Sequence, residues 1–394
     1  MFPRPFLELD RVASKPERLV VGMMSGTSAD SIDVAVCRIS GDLGGVRLLH
    51  YEEHGHDPDD RARILAIREQ GVRELAELHV AVAERFAAAC LKTLRHAGIE
   101  PSEIDLVGSH GQTVYHHSGV PGALRATLQI GDGDIIAVRT GRPVIADFRA
   151  RDIAAGGEGA PLSPIADAVM YAPNSDTHAP KRRAVLNLGG IANVTVLDVD
   201  HSRISGFDTG PANAPLDRLA RRLTDGAQGC DVDGRIARSG RVNVDLLAQL
   251  LEADSFLARR PPKSTGFEMY GDLFVEQAIT SHGAADADLM ATLTEFTAAT
   301  IARAFRDFIL SNTSIDEVIV AGGGVKNPFL MERIAALLAP IAVLTSDEVG
   351  IPSNAREAMA FAVLADMTLR GVAAWLPPVT GASHPKLLGK LCFP

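Results

Sequence analysis

Residues 21–36 read Val-Gly-Met-Met-Ser-Gly-Thr-Ser-Ala-Asp-Ser-Ile-Asp-Val-Ala-Val, two apolar runs held apart by a small polar turn and two aspartates. The pattern predicts a β-hairpin, with strands near 18–24 and 32–38. The turn itself admits two readings. It is either a plain connection, or its backbone N–H groups and the hydroxyls of Ser25, Thr27 and Ser28 cradle phosphate oxygens. On the second reading Asp30 or Asp33 holds Mg²⁺, directly or through water, because that ion takes few carboxylates alongside phosphate and water. No GxxxxGK[ST] segment occurs, and no GxGxxG opens a βαβ unit, so Walker-type and dinucleotide sites are disfavoured.

The hairpin has a counterpart. Residues 184–199, "AVLNLGGIANVTVLDV", are again two apolar runs around a glycine turn. In the first half a helical pattern over 73–97 leads into the strand and polar turn of "IDLVGSHGQT". In the second half a helical pattern over 292–310 leads into "IDEVIVAGGGVKNP". Hairpin, helix, strand and polar turn thus occur twice in one order. This predicts two α/β units joined near 140–150. We place the first domain at 1–147, rejoined by a C-terminal segment 372–394, and the second at 148–371.

A chain of 394 residues with 46% hydrophobic and 22% charged residues has room for two cores. The net charge of −10 argues against general binding to nucleic acid or an anionic membrane. Cys37, Cys90, Cys230 and Cys392 form no CxxC pair and read as thiols in a reducing compartment. With no signal-like segment and no long apolar span, a cytoplasmic location is expected.

Two further segments invite chemistry. "ADFRARDIAAGGEGAPLSP" (146–164) places Asp147, Arg149, Arg151 and Asp152 before a glycine loop. These charges form an ion-pair network, bind an anionic group, or lie in a solvated linker. "GFDTGPAN" (206–213) sets Asp208 in a rigid turn, as a general base or as an Asx-turn that bonds its own loop. His110 in "SHGQTVYHH" is either structural or a ligand, and no transition-metal spacing surrounds it.

Taken together, "MSGTSADSID", "SHGQTVYH", "DFRARDIAAGGEGAP", "LNLGGIAN", "GFDTGPAN", "PPKSTG", "VAGGGVKNP" and "EAMAFAVLA" stand in an order that resembles the anhydro-N-acetylmuramic acid kinase family of the sugar kinase/actin/chaperone ATPase superfamily. The resemblance implies an α/β fold of two ribonuclease-H-like domains, with ATP, Mg²⁺ and sugar in the cleft between them. It also implies a homodimer and a role in recycling cell-wall sugar. Carried over by position, Gly26, Thr27, Ser28, Ala29, Asp30, Ser31, Ile32 and Asp33 match the ATP phosphate segment, with Asp30 and Asp33 toward the metal. Asn187, Gly189, Gly190, Gly322, Gly323, Gly324 and Asn327 match nucleotide-facing loops. Asp208 matches the catalytic base, and Glu357 a glutamate near the active site. His110, Gln112, Arg149, Gly157, Glu158, Thr209 and Asn213, with Asp208, fall to the sugar.

The chain departs from the family pattern at Ser31 (usually Gly), Glu158 (Gln), Ala212 (Gly) and Phe267 (Arg). A positive φ at Ser31 would crowd the phosphate loop, and Phe267 removes a partner for an anion. The expected activity is therefore ATP-dependent opening of a 1,6-anhydro ring with phosphorylation of O6, on anhydro-N-acetylmuramic acid or on a neutral anhydrosugar. The rivals are a nucleotide-dependent switch without kinase activity and an ATP-independent glycosidase.

Overall fold

The structure, a computed structural model, describes residues 5–26, 29–41, 45–117, 124–171, 181–197, 204–374 and 380–394, with side chains for all of these except Pro5, Arg68 and Phe267. The chain forms two compact units, Met1–His178 with Ala355–Pro394, and Ala179–Asn354. The expected boundaries differ from these. Residues 148–178 and 355–371 lie with the first unit, where the sequence reading assigned them to the second.

In the first unit the opening hairpin is β1 (Glu17–Ser25) and β2 (Ser31–Ser40), extended by β3 (Gly45–Gly55) into an antiparallel meander. β4 (Leu106–His117) then lies parallel to β1 and carries a short antiparallel partner, β5 (Ala126–Ile130). β6 (Val144–Ala146) continues the parallel side, and the C-terminal strand Lys390–Cys392 closes that edge antiparallel to β6. The second unit repeats the order: β7 (Arg183–Leu188), β8 (Ile191–Leu197) and β9 (Ile204–Pro211) form a meander. β10 (Glu317–Ala321) pairs parallel to β7, and β11 (Ala342–Thr345) parallel to β10. Each unit is the ribonuclease-H-like α/β sheet that the resemblance implied.

The central strands are apolar almost without interruption because helices cover both faces. On one face of the first sheet the helix Val72–Ala97 buries Leu78, Val82, Phe86, Cys90 and Leu94, a stripe at helical spacing. It stops at Gly98, whose φ of 67° is the left-handed cap that glycine adopts freely. The helix Arg356–Leu369 also packs on this sheet, and it approaches unusually closely. Gly22 on β1 and Gly108 on β4 stand side by side in register. A Cβ on Gly22 would lie 1.9 Å from the Ala358 carbonyl oxygen, and one on Gly108 would lie 2.3 Å from that of Phe361. These two glycines seat the helix, whose facing residues Ala358, Ala362 and Ala365 are small. Among the described residues no helix is long and apolar enough to cross a membrane.

Candidate active site

In the first unit the turn between β1 and β2 is braced from below. Ser25 Oγ donates to the Ser31 carbonyl (2.6 Å) and lies 2.9 Å from His56 Nε2, so that imidazole carries its proton on Nε2. Gln112 Nε2 donates to the carbonyls of Gly26 (3.0 Å) and Thr113 (3.1 Å). Thr27 and Ser28 lie outside the described residues. The left-handed position is Ala29, with φ of 50°, closed by its N–H donating to Gly26 O at 3.0 Å. Ser31 is the first residue of β2, so the crowding expected there does not arise. Its hydroxyl instead donates to Asp33 Oδ1 at 3.1 Å. The side chains of Ala29 and Ile32 are buried in the core, so a ligand at this segment would meet its backbone or other residues.

The two aspartates differ. The exposed Asp30 carboxylate pairs with Arg61 at 2.8 Å. Asp33 is half-buried and accepts from Ser31 and from Tyr51 OH (3.2 Å) through one oxygen, Oδ1. Burial raises its pKa above the usual carboxylate value, and the nearby charges of Glu53 and Glu357 push the same way. Cation binding would relieve that burden. On β4, Ser109 Oγ and Gln112 Oε1 are buried without a partner among the described residues, and the register sets Ser109 on the sheet face opposite to Asp33. Among the described residues no group of three or more His, Cys, Asp or Glu gathers there, so a cation at Asp33 would rest on one carboxylate completed by phosphate and water, a set that Mg²⁺ accepts.

Beside this turn, the close-packed helix begins with Arg356, buried against Asp167 at 3.0 Å, and the exposed Glu357. The charge of Glu357 also reaches Arg149. Arg149 donates through Nε to His110 Nε2 (2.9 Å) and through Nη1 to Gly159 O (2.9 Å). Burial lowers its pKa to about 10. His110 is therefore neutral, donating through Nδ1 to Gly111 O at 3.1 Å, and its ring packs 4.4 Å from Phe361. Burial, reinforced by Arg149, holds its pKa well below the ordinary imidazole value. With its one lone pair taken, His110 positions Arg149 and is no base.

The segment read as a network, a binding element or a linker contains a helix, Phe148–Ala154, and fixed ion pairs. Asp152 is fully buried, pairs with Lys386 at 2.6 Å, and accepts from Thr380 Oγ1 (2.9 Å) and Gly159 N (2.8 Å). Asp147 pairs with Lys390. Gly157 is required by this packing, since its Cβ would sit 2.1 Å from Asp152 Oδ2. Glu158 is half-buried, and its carboxylate has no partner among the described residues.

In the second unit Asp208 lies on β9. Its Oδ2 accepts from Ser264 Oγ and from Thr265 N–H, each at 2.9 Å, and its own N–H donates to Lys263 O at 3.1 Å. Its Oδ1 takes no hydrogen bond among the described residues. Burial raises the Asp208 pKa, opposed by those two donors and by Lys263. A carboxylate held by one oxygen keeps the other able to accept a proton. Thr265 Oγ1, beside it, is buried and unpartnered. Thr209 is buried with its hydroxyl donating to Ala192 O at 3.2 Å.

The glycine loops converge nearby. Asn213 donates through its backbone N–H to Gly189 O (2.9 Å) and through Nδ2 to Leu188 O (3.1 Å). Gly322, with φ of 87°, and Gly324 have packing reasons to be glycine. Their Cβ atoms would meet Leu188 O at 2.8 Å and Leu188 Cβ at 2.5 Å. Gly189 and Gly323 have none: a Cβ would meet nothing nearer than 3.5 Å and 3.8 Å, respectively, and neither has a left-handed φ. Bare backbone there leaves room for a ligand. Asn327 Oδ1 caps the helix Pro328–Leu338 by accepting from Leu330 N–H at 3.0 Å. Sequence reasoning missed Tyr51, His56, Ser264 and Thr265. Only the last two had a local signal, the quoted "PPKSTG".

A model of the anhydro-N-acetylmuramic acid kinase family matches residues 18–394. The chain is 40% identical over 399 residues to the anhydro-N-acetylmuramic acid kinase of Caldanaerobacter subterraneus subsp. tengcongensis, covering 97% of this chain and 98% of that one. It is 42% identical over 379 residues to the enzyme of that name from Xanthomonas oryzae pv. oryzae, covering 95% and 97%. Against the Streptomyces avermitilis enzyme of that name the identity is 41% over 378 residues, covering 94% of each.

Proposed function

Because the chain belongs to the anhydro-N-acetylmuramic acid kinase family, we propose that it uses ATP to open the 1,6-anhydro ring of anhydro-N-acetylmuramic acid and phosphorylate O6. The product is N-acetylmuramate 6-phosphate. The observation that carries the mechanism is Asp208, gripped at Oδ2 and bare at Oδ1.

Asp208 Oδ1 takes a proton from water as that water attacks the anomeric carbon. The C1–O6 bond breaks, and O6 bonds to the γ-phosphorus of ATP as ADP leaves. The backbone of the turn from Gly26 to Asp33 holds the phosphates, so positioning and electrostatics supply much of the catalysis. Asp33 would hold Mg²⁺, which offsets phosphate charge. Arg149, kept in place by His110 and Gly159, presents its remaining N–H groups to an anionic part of the sugar. The departure at Phe267 concerns a side chain outside the described set. A homodimer and a cytoplasmic location belong to the same reading.

In-line attack on the anomeric carbon inverts it, and the bridge fixes the starting sugar as β. The first product should be the α-anomer. In ¹⁸O-water the label should appear on C1 and not in the C6–O–P bridge. Proton NMR before mutarotation, with mass spectrometry of the ester, reads both, and a closed ring or a β-anomer formed first rules the mechanism out.

The bare glycines give a second expectation. Gly323→Ala should leave the melting temperature within about 2 °C of the parent, because the new methyl meets only ordinary contacts. It should weaken ATP binding by roughly tenfold, the effect of about 1.4 kcal/mol. Calorimetry showing unchanged ATP affinity would mean that no nucleotide approaches this turn.

A further inference from the structure

Lys263 is 8% exposed, yet it is in no salt bridge among the described residues. Its ammonium lies 4.5 Å from the centre of the Phe256 ring, 4.7 Å from Phe308 and 5.8 Å from Phe207. Two carbonyl oxygens, those of Phe256 and Leu257, accept from it at 3.4 Å. A charge so enclosed is ordinarily disfavoured by desolvation, and the ring faces offset part of that.

The charged groups around it are engaged elsewhere. Asp254 accepts from Tyr270 OH (2.7 Å) and Phe256 N–H (2.9 Å). Asp307 pairs with Arg306 at 2.8 Å and Arg303 at 3.4 Å, and Arg303 also donates to Leu251 O. Arg259 sits over the Phe256 ring at 5.8 Å, and the charge of Glu268 acts on Asp208. The charges of Asp254, Asp208 and Asp307 all act on Lys263, that of Asp254 most strongly.

Two routes, each part chain and part non-covalent contact, run from this box to the base. The Lys263 carbonyl accepts the Asp208 N–H, and the next two residues grip Asp208 Oδ2. Phe207, one wall of the box, immediately precedes Asp208 in the chain and packs edge-on against Phe308 at 5.9 Å. We propose that Lys263 is a positioning residue for the reaction, its ammonium pinning the 263–265 segment and Phe207 in the arrangement that aims Asp208. The inference rests on Asp208 being the base. Lys263 also favours the ionised form of that carboxylate, and burial pulls its own pKa down to about 8.

The test compares the parent with Lys263→Met and Lys263→Arg in the ATP-dependent sugar assay across pH. Lys263→Met should lower kcat by roughly 10–100-fold, with KM for ATP within threefold of the parent. The acid limb of kcat/KM should move to higher pH, because Asp208 loses a cation that favoured its charged form. Lys263→Arg, which keeps the charge, should leave that limb in its parental place and recover part of kcat. The parent should lose activity as pH rises through about 8, and the arginine variant should not. Equal loss in both variants with an unmoved acid limb would reduce the lysine to a space-filler and overturn the proposal. Should Lys263→Met fail to fold, the alkaline limb decides: a parent flat to pH 9.5, or an arginine variant that declines like it, overturns the proposal. Asp208→Asn with parental turnover removes the base itself, whereas unaffected lysine variants of an enzyme that needs Asp208 remove this inference alone.

Discussion

Replacing Asp208 by asparagine is expected to leave a folded, nucleotide-binding protein that turns over roughly 10²–10⁴ times more slowly. The asparagine carbonyl can take the place of Oδ2, still accepting from Ser264 Oγ and Thr265 N–H. Its amide then occupies the position of Oδ1, where it donates and cannot accept a proton. KM for ATP should stay within about threefold, since uniform binding is untouched. The pH profile carries the same information. Asp208 acts as a base only when ionised, so activity must fall as pH drops through its pKa. Burial places that limb above the range of an ordinary aspartate, with Ser264, Thr265 and Lys263 limiting the rise. The residual activity of the asparagine variant should lack this limb. Parental kcat, or an unchanged acid limb, would show that another group takes the proton.

What was legible in the sequence follows what is local. Each hairpin is written in one short stretch, because period-two apolar runs and a glycine turn specify pairing between neighbours. The 72–97 helix was likewise legible to within a residue, since its stripe and its Gly98 cap lie in one segment. Asp208 stood out because Gly206, Gly210 and Pro211 flank it, but the rigid turn they suggested is the strand β9, where Asp208 pairs with Asn193 and its carboxylate bonds Ser264 and Thr265 rather than its own loop. Its grip was less plain: Ser264 and Thr265 arrive from more than fifty residues away, and nothing near Asp208 announces them. The same holds for Tyr51, which reaches Asp33 only through the β2–β3 register. Ser31 needs no positive φ, because it starts β2 and the left-handed residue among the described part of the turn is Ala29, two positions earlier. The domain boundary was misplaced for a related reason. The helix Arg356–Leu369 is apolar without a break from Ala358 to Ala365, which signals burial but not the sheet that buries it.

That helix supplies the other large effect. Gly22→Ala is expected to lower the melting temperature by roughly 6–12 °C, the consequence of about 3 kcal/mol of overpacking in a unit of this size. The added methyl would stand 1.9 Å from Ala358 O and 2.6 Å from Ala362 N. Both are helix backbone, so no side chain can swing aside; the whole helix must lift or the strand must bow. Either movement disturbs the first turn, where Arg356 is buried against Asp167 and Glu357 adds its charge to Asp33 and Arg149. Turnover should therefore fall along with stability. Gly71→Ala is the matched control, because its Cβ meets nothing within 4 Å and its φ is −84°. It should change stability by no more than about 0.5 kcal/mol. Differential scanning calorimetry separates the two variants. If Gly22→Ala melts with the parent, the glycine pair is not what lets the helix approach the sheet. Glu357 would then owe its position to some other contact. If it melts low while kcat per folded molecule is retained, the seat is confirmed, but the helix start is not coupled to the chemistry.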